Sequence, residues 1–288
     1  MPDKELMITL WNHCNNRCTF CYNQGFYNLP INLKQHLVKC NNLLKSNRIK
    51  DYSCIRLVGG ELFDGAIDQL NVRQHFTVIE NSLLLLLNKN IIKNVNVVTN
   101  LLYEDVTDLI DFVDRFENKM TLSTSYDYVG RFSSHTETTW WNNLKQLRKT
   151  YPNLKIDIGI NITQPLIENI SKVWLDNFKE NTDCDINFNE LFSGIDQIDK
   201  QDCSFSELFP KRKDFLQFLK NLRDWGYLSC ITETKDIELM HYVFDGKTGK
   251  AIIKDTSKIS DEKHRQDGYI DSDVAMYDDI RRFRNANR

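Results

Sequence analysis

The chain has 288 residues, 41% hydrophobic and 27% charged, a composition that supports a packed core and excludes wholesale disorder. Its net charge of −3 excludes a general electrostatic grip on nucleic acid or anionic membrane, leaving only a local basic groove open. The longest leucine run, Leu83 to Leu87, is far too short to span a bilayer, and Met1 to Leu10 lacks the apolar stretch of a secretory signal.

Short apolar runs alternate with longer amphipathic ones, the grammar of strand–helix units around a parallel sheet. Met7 to Trp11 is the expected first strand and runs into a cysteine-rich loop. Ile31 to Ser46 has helical spacing at Leu33, Leu37, Leu43 and Leu44. Cys54 to Val58 is β-rich and ends at Gly59-Gly60. A helix over Val72 to Leu87 precedes the buried-strand pattern of Asn94 to Thr99. Tyr103 to Phe116 reads as helix, Met120 to Ser125 as strand, Glu137 to Lys149 as helix and Lys155 to Ile162 as strand. Pro165 suits the first turn of a helix reaching Lys179, and Asp185 to Leu191 closes the sixth cycle. Six units are too few for an eight-fold barrel. The expected fold is α/β, a partial (β/α)6 barrel over residues 1–195.

After that the grammar changes. Residues 196–288 are expected to form an extension: a helix over Ser206 to Trp225 stopped by Gly226, then a hairpin of Ile237 to Phe244 and Lys250 to Ile253 turning at Asp245 to Gly249. Beyond Asp255 the chain is polar, with one short helix expected near Val274 to Phe283.

Eight cysteines without a signal peptide point to a reducing, cytoplasmic setting, where thiols serve as ligands or nucleophiles more often than as disulfides. Three of them, Cys14, Cys18 and Cys21, stand at spacing C-x3-C-x2-C. A cubane [4Fe–4S] cluster normally takes four thiolates, so three in one compact loop leave an iron open to a small molecule. The competing reading is a zinc knuckle. Zinc ribbons usually add a second paired C-x2-C or a trailing His, whereas Cys40, Cys54, Cys184, Cys203 and Cys230 are scattered. His13 could add a ligand but adjoins Cys14.

The run Cys14-x3-Cys18-x2-Cys21, with aromatic Phe20 before the last cysteine and directly after a first strand, resembles the signature of the radical SAM superfamily. The resemblance covers most of the first 190 residues. It implies a [4Fe–4S] cluster and S-adenosylmethionine as cofactors, with Cys14, Cys18 and Cys21 as metal ligands and Phe20 beside them. Later segments follow in the family's order. Gly59-Gly60-Glu61 resembles the turn that meets the amino group of S-adenosylmethionine, and a plain strand-to-helix turn is the alternative. Val97-Val98-Thr99-Asn100 resembles a third-strand segment in which glycine usually stands where this chain has Leu101. Ser125 matches a position that hydrogen-bonds ribose or carboxylate, and Asp127 begins a loop that often faces substrate. Arg131 resembles an arginine able to pair with a carboxylate through its planar fork, and a solvated surface arginine is the equal alternative. Ile160, Asn161 and Leu191 match adenine-side positions, equally well explained as core.

By the same resemblance, the electron donor is of flavodoxin or ferredoxin type. The substrate is expected to be a peptide or protein side chain, or else a nucleotide, modified base or small metabolite. The hairpin is similar to that of the peptide-modifying SPASM/twitch branch. Cys184, Cys203 and Cys230 are too few and too widely spaced for an auxiliary cluster. Outside the family, the competing function is a non-catalytic zinc-binding interaction module.

Overall fold

The structure, a computed structural model, describes residues 4–11, 13–18, 21, 33–116, 119–127, 129–189, 208, 210–231, 238–244 and 251–255, the last two segments as backbone only. Six parallel strands follow one another in chain order: β1 (Lys4–Thr9), β2 (Cys54–Val58), β3 (Asn94–Val98), β4 (Met120–Ser125), β5 (Lys155–Asn161) and β6 (Asp185–Asn189). Between them run α1 (Leu33–Leu44), the short α2 (Ala66–Gln69), α3 (Arg73–Asn88), α4 (Thr107–Phe116), α5 (Ser134–Thr150), α6 (Gln164–Asn169) and α7 (Lys172–Thr182). After β6 come α8 (Arg212–Trp225), β7 (Glu238–Phe244) and β8 (Ala251–Asp255). The expected open α/β barrel is what forms.

Period-two alternation explains why these segments are strands and which way each side chain points. Ile55 and Leu57, Val95 and Val97, and Ile156, Ile158 and Ile160 are all fully buried or nearly so, and they join helix residues such as Leu83, Leu109 and Trp140 in one core. Each such side chain taken from water contributes about 1.5–3 kcal/mol. The other face carries polar groups: Arg56, Asn94, Asn96, Ser123, Ser125, Asp157, Asn161, Asn187 and Asn189. Burial pushes the Asp157 carboxyl up, nearby Lys155 opposes this, and the Arg56–Glu5 pair acts on it as well. The helices pack on the apolar face, which leaves the polar face as the inner, concave one of the open barrel.

Two element boundaries differ from the sequence pattern. The helix expected from Pro165 to Lys179 is two helices, because Ser171 takes an extended backbone and its hydroxyl caps α7 by accepting from Trp174 N–H at 3.2 Å. The helix expected from Tyr103 starts at Thr107, whose N–H is held by Asp105 Oδ1 at 2.9 Å, while Tyr103 is drawn into the core. Gly226 does stop α8, in the left-handed conformation at φ 84°.

The hairpin strands join the main sheet. β7 pairs in parallel with β1, β8 returns antiparallel to β7, and the sheet order becomes β6-β5-β4-β3-β2-β1-β7-β8. Helix α8 packs against the barrel: Gln164 on α6 donates to Asp214 at 2.9 Å, and Phe218 meets Phe188 of β6 edge-on. The boundary expected at residue 195, the hairpin turn and the helix near 274–283 lie outside the described residues. No helix among the described residues is long and apolar enough to cross a membrane.

Candidate active site

All six parallel strands end at the same rim, where ligands sit in sheets of this kind. From the end of β1 the chain passes through Leu10 and Trp11, both buried, into the cysteine loop. Cys18 is buried, while Cys14 and Cys21 are half-buried. The loop is stitched from within: Arg17 Nη1 donates to the carbonyls of Cys14 (2.7 Å) and Asn16 (3.0 Å), and Cys21 N–H donates to Cys18 O at 3.1 Å. Burial pushes the Cys14 thiol up to about 12, and the charges of Glu61, Cys18 and Cys21 add to that rise. Burial also raises the Cys18 thiol, opposed by the positive charge of Arg131. The Arg131 guanidinium thus acts on Cys18 and Cys21, and the Glu61 carboxyl on Cys14. Among the described residues, no three His, Cys, Asp or Glu side chains are gathered to hold a single metal ion.

Several amide groups point at the sulfurs. Asn16 Nδ2 donates to Cys18 Sγ (3.2 Å) and to Arg131 O (3.1 Å), while its backbone N–H donates to Cys14 Sγ (3.4 Å). Asn100 Nδ2 reaches Asn15 Oδ1 at 2.8 Å and Cys14 Sγ at 3.7 Å. His13 turns to Asp64, 3.5 Å away, rather than toward the thiols. Soft thiols, aimed amide donors and a nearby cation form a donor set that fits an iron–sulfur cluster.

The Gly59-Gly60-Glu61 turn lies against the root of the loop. Gly60 N–H donates to Trp11 O (2.9 Å), Glu61 N–H to His13 O (2.6 Å), and Trp11 Nε1 to Glu61 O (2.7 Å). A Cβ on Gly59 would stand 2.7 Å from Leu62 Cδ2 and 3.1 Å from Trp11 O, so the close approach that needs glycine here is internal. The Glu61 side chain is fully buried. Its Oε1 accepts from Leu62 N, Phe63 N and Thr99 Oγ1 at 2.8–3.1 Å, and its Oε2 accepts from Asn100 N at 2.5 Å. Glu61 thus ties the end of β2 to the end of β3. Burial pushes its carboxyl up to about 7, with those four hydrogen bonds pulling the other way.

At the end of β3, Leu101 takes the left-handed conformation at φ 56°, the backbone that a glycine would adopt freely. Its side chain is completely buried, and Asn143 of α5 donates to the carbonyls of Leu101 (3.0 Å) and Tyr103 (2.7 Å). At the end of β4, Asp127 is buried between two partners: it accepts from Arg131 Nε and from Asn161 N–H at 3.0 Å. It therefore braces β5 and the arginine instead of facing outward. Ser125 lies on the concave face beside Gly159, in register. Asn161 shares that face, whereas Ile160 points into the core with Ile158 and Ile162. Hydrogen bonds link Cys14, Cys18, Asn100, Arg131 and the Gly59–Glu61 turn, Cys21 joins them through its backbone bond to Cys18, Ser125 and Asn161 lie further round the rim, and Phe20 and Leu191 fall outside the described residues.

The sequence reading missed the division of the concave face. On its β1–β3 side Arg56 forms an ion pair with Glu5, Asn94 donates to Thr121 (3.1 Å) and Asn96 accepts from Ser123 (3.0 Å). On the β4–β6 side, the side chains of Ser125, Asp157, Asn161 and Asn187 make no hydrogen bond among the described residues. The alternation of polar and apolar residues in KIDIGIN and DINFN was the available signal.

No protein-family model matches the chain, and no curated protein matches it. Among solved structures, the FeFe-hydrogenase maturase HydG from Carboxydothermus hydrogenoformans superposes with a TM-score of 0.43 at 16% identity, covering 78% of this chain and 52% of that one. The chain therefore spans about half of the maturase's length. A GH10 endoxylanase retrieved from sugarcane soil metagenome gives a TM-score of 0.41 at 12% identity, covering 98% of this chain and 82% of its own. At these identities and scores neither likeness assigns a function.

Proposed function

We propose that the chain is a radical SAM enzyme acting on a polar substrate held at the concave face of the sheet. One observation carries the reading: the C-x3-C-x2-C loop leaves the first parallel strand at the rim where the Gly59–Glu61 turn, Asn100 and Arg131 converge on it. Cys14, Cys18 and Cys21 would hold three irons of a [4Fe–4S] cluster, and the fourth would remain for S-adenosylmethionine. When bound, that pair supplies one-electron reductive cleavage of a sulfonium carbon–sulfur bond and a 5′-deoxyadenosyl radical.

The chain's own residues do the positioning. Glu61 fixes the turn and the end of β3, and Arg131 balances thiolate charge while Asp127 holds it in place. Ser125, Asp157, Asn161 and Asn187, whose side chains make no hydrogen bond among the described residues, offer polar groups to the substrate. The Asp-Gly hairpin and the Ser-x-Asp segment favour a peptide or protein side chain over a nucleotide, modified base or small metabolite. The electron would come from a flavodoxin- or ferredoxin-type partner.

The test is anaerobic reconstitution with iron and sulfide counted per chain, then addition of S-adenosylmethionine and dithionite and an assay for 5′-deoxyadenosine. About four irons per chain with 5′-deoxyadenosine formed is the expected result. Stoichiometric zinc with intact S-adenosylmethionine would make the loop a structural zinc module and overturn the proposal.

A further inference from the structure

Two of the three thiols receive hydrogen bonds from a single residue, Asn16, and that residue is itself locked. Its side-chain amide has two N–H groups, and both are used, one on Cys18 Sγ at 3.2 Å and one on the carbonyl of Arg131 at 3.1 Å. The carbonyl accepts only, so it fixes which end of the amide faces the sulfur. The backbone N–H of the same residue donates to Cys14 Sγ at 3.4 Å, and Asn100 Nδ2 adds a longer contact to that sulfur at 3.7 Å. Asn100 is oriented in turn, since its Oδ1 accepts from Leu102 N–H at 2.8 Å. Each donor amide is therefore held by a second bond that does not involve sulfur.

Neutral N–H donors on thiolate sulfur act on charge. Adding an electron to a thiolate-bound cluster makes the sulfurs more negative, and an N–H dipole aimed at them stabilises the reduced state more than the oxidised one. Resting on the radical SAM reading above, we infer that Asn16, assisted by Asn100, is a positioning residue that sets the reduction potential of the cluster held by Cys14, Cys18 and Cys21. The half-buried setting of Asn16 strengthens the effect, because water competes less for a sheltered donor.

The experiment uses the full chain, reconstituted anaerobically and titrated against a low-potential mediator series with the reduced cluster followed by electron paramagnetic resonance. Asn16→Asp keeps the side-chain shape but replaces both N–H donors with oxygen, and Asn16→Ala removes the side chain. Asn100→Asp keeps the acceptor for Leu102 N–H while losing the donor to Cys14. Iron and sulfide per chain should stay at the wild-type value in these variants. At a fixed potential the ratio of reduced to oxidised cluster should fall roughly tenfold in Asn16→Ala, further in Asn16→Asp and less in Asn100→Asp. An unchanged ratio in fully loaded Asn16 variants overturns the inference and leaves the enzyme assignment standing. Loss of the cluster in both Asn16 variants makes the residue structural and overturns it too. Failure of the wild-type chain to take up iron and sulfide overturns the assignment on which the inference rests.

Discussion

Glu61 is the residue on which most of the rim depends. A fully buried carboxylate accepts three backbone N–H groups and one hydroxyl, so removing it strands all four donors. Glu61→Ala is expected to cost about 3–5 kcal/mol in urea denaturation. Burial holds its carboxyl near 7, above the ordinary 4.5. The folded chain therefore binds this proton more tightly than the unfolded chain. The stability it contributes is complete below about 4.5 and is lost as pH rises through about 7, a swing of about 3 kcal/mol. Cys14 and Tyr103 titrate above this window. Subtracting the pH–stability curve of Glu61→Gln from that of wild type should isolate the slope, and identical curves would refute it. Leu101 poses the opposite problem, a left-handed backbone retained by a buried side chain. Leu101→Gly relieves about 1 kcal/mol of backbone strain but forfeits about 2–4 kcal/mol of packing. A net loss is expected in the same urea assay.

At the scale of elements, the strands set the rim and the helices hold its loops. Helix α5 begins with a reciprocal cap, Ser133 accepting from Thr136 N and Thr136 accepting from Ser133 N, and its buried Asn143 then reaches back to the loop after β3. Asn143→Leu leaves two inward carbonyls without their donor and is expected to cost about 2–4 kcal/mol. Hydrogen exchange should show the loop after β3 opening more readily, while the amides of β3 itself stay protected. Equal protection of that loop in both proteins would mean that Asn143 does not hold it.

For the whole molecule, the order of the sheet matters more than its length. β1 carries the cysteine loop, and it is an interior strand only because β7 pairs with it on the side away from β2. A chain ending at Ile231 would present β1 as an open edge with unpaired backbone groups. That truncation is expected to self-associate, read by light scattering at equal concentration; a monodisperse truncated monomer would contradict the role given to β7.

What the sequence by itself determined was local. The β-rich run CIRLV, the extended MTLSTS and the alternating KIDIGIN placed β2 and β4 to the residue and β5 to within one, because strand preference and period are read without reference to the rest of the chain. Cysteine spacing marked the loop for the same reason, since three thiols within eight residues must lie near one another. The tertiary structure alone decided what depends on distant pairing. It turned Glu61 inward onto Asn100, 39 residues away, and buried Asp127 against Arg131. It aimed Asn16 at a sulfur through the carbonyl of Arg131, 115 residues on. It also carried the hairpin to the edge of β1. Hydrogen bonds are short and directional, so which donor meets which acceptor is fixed only once the strands have been brought side by side.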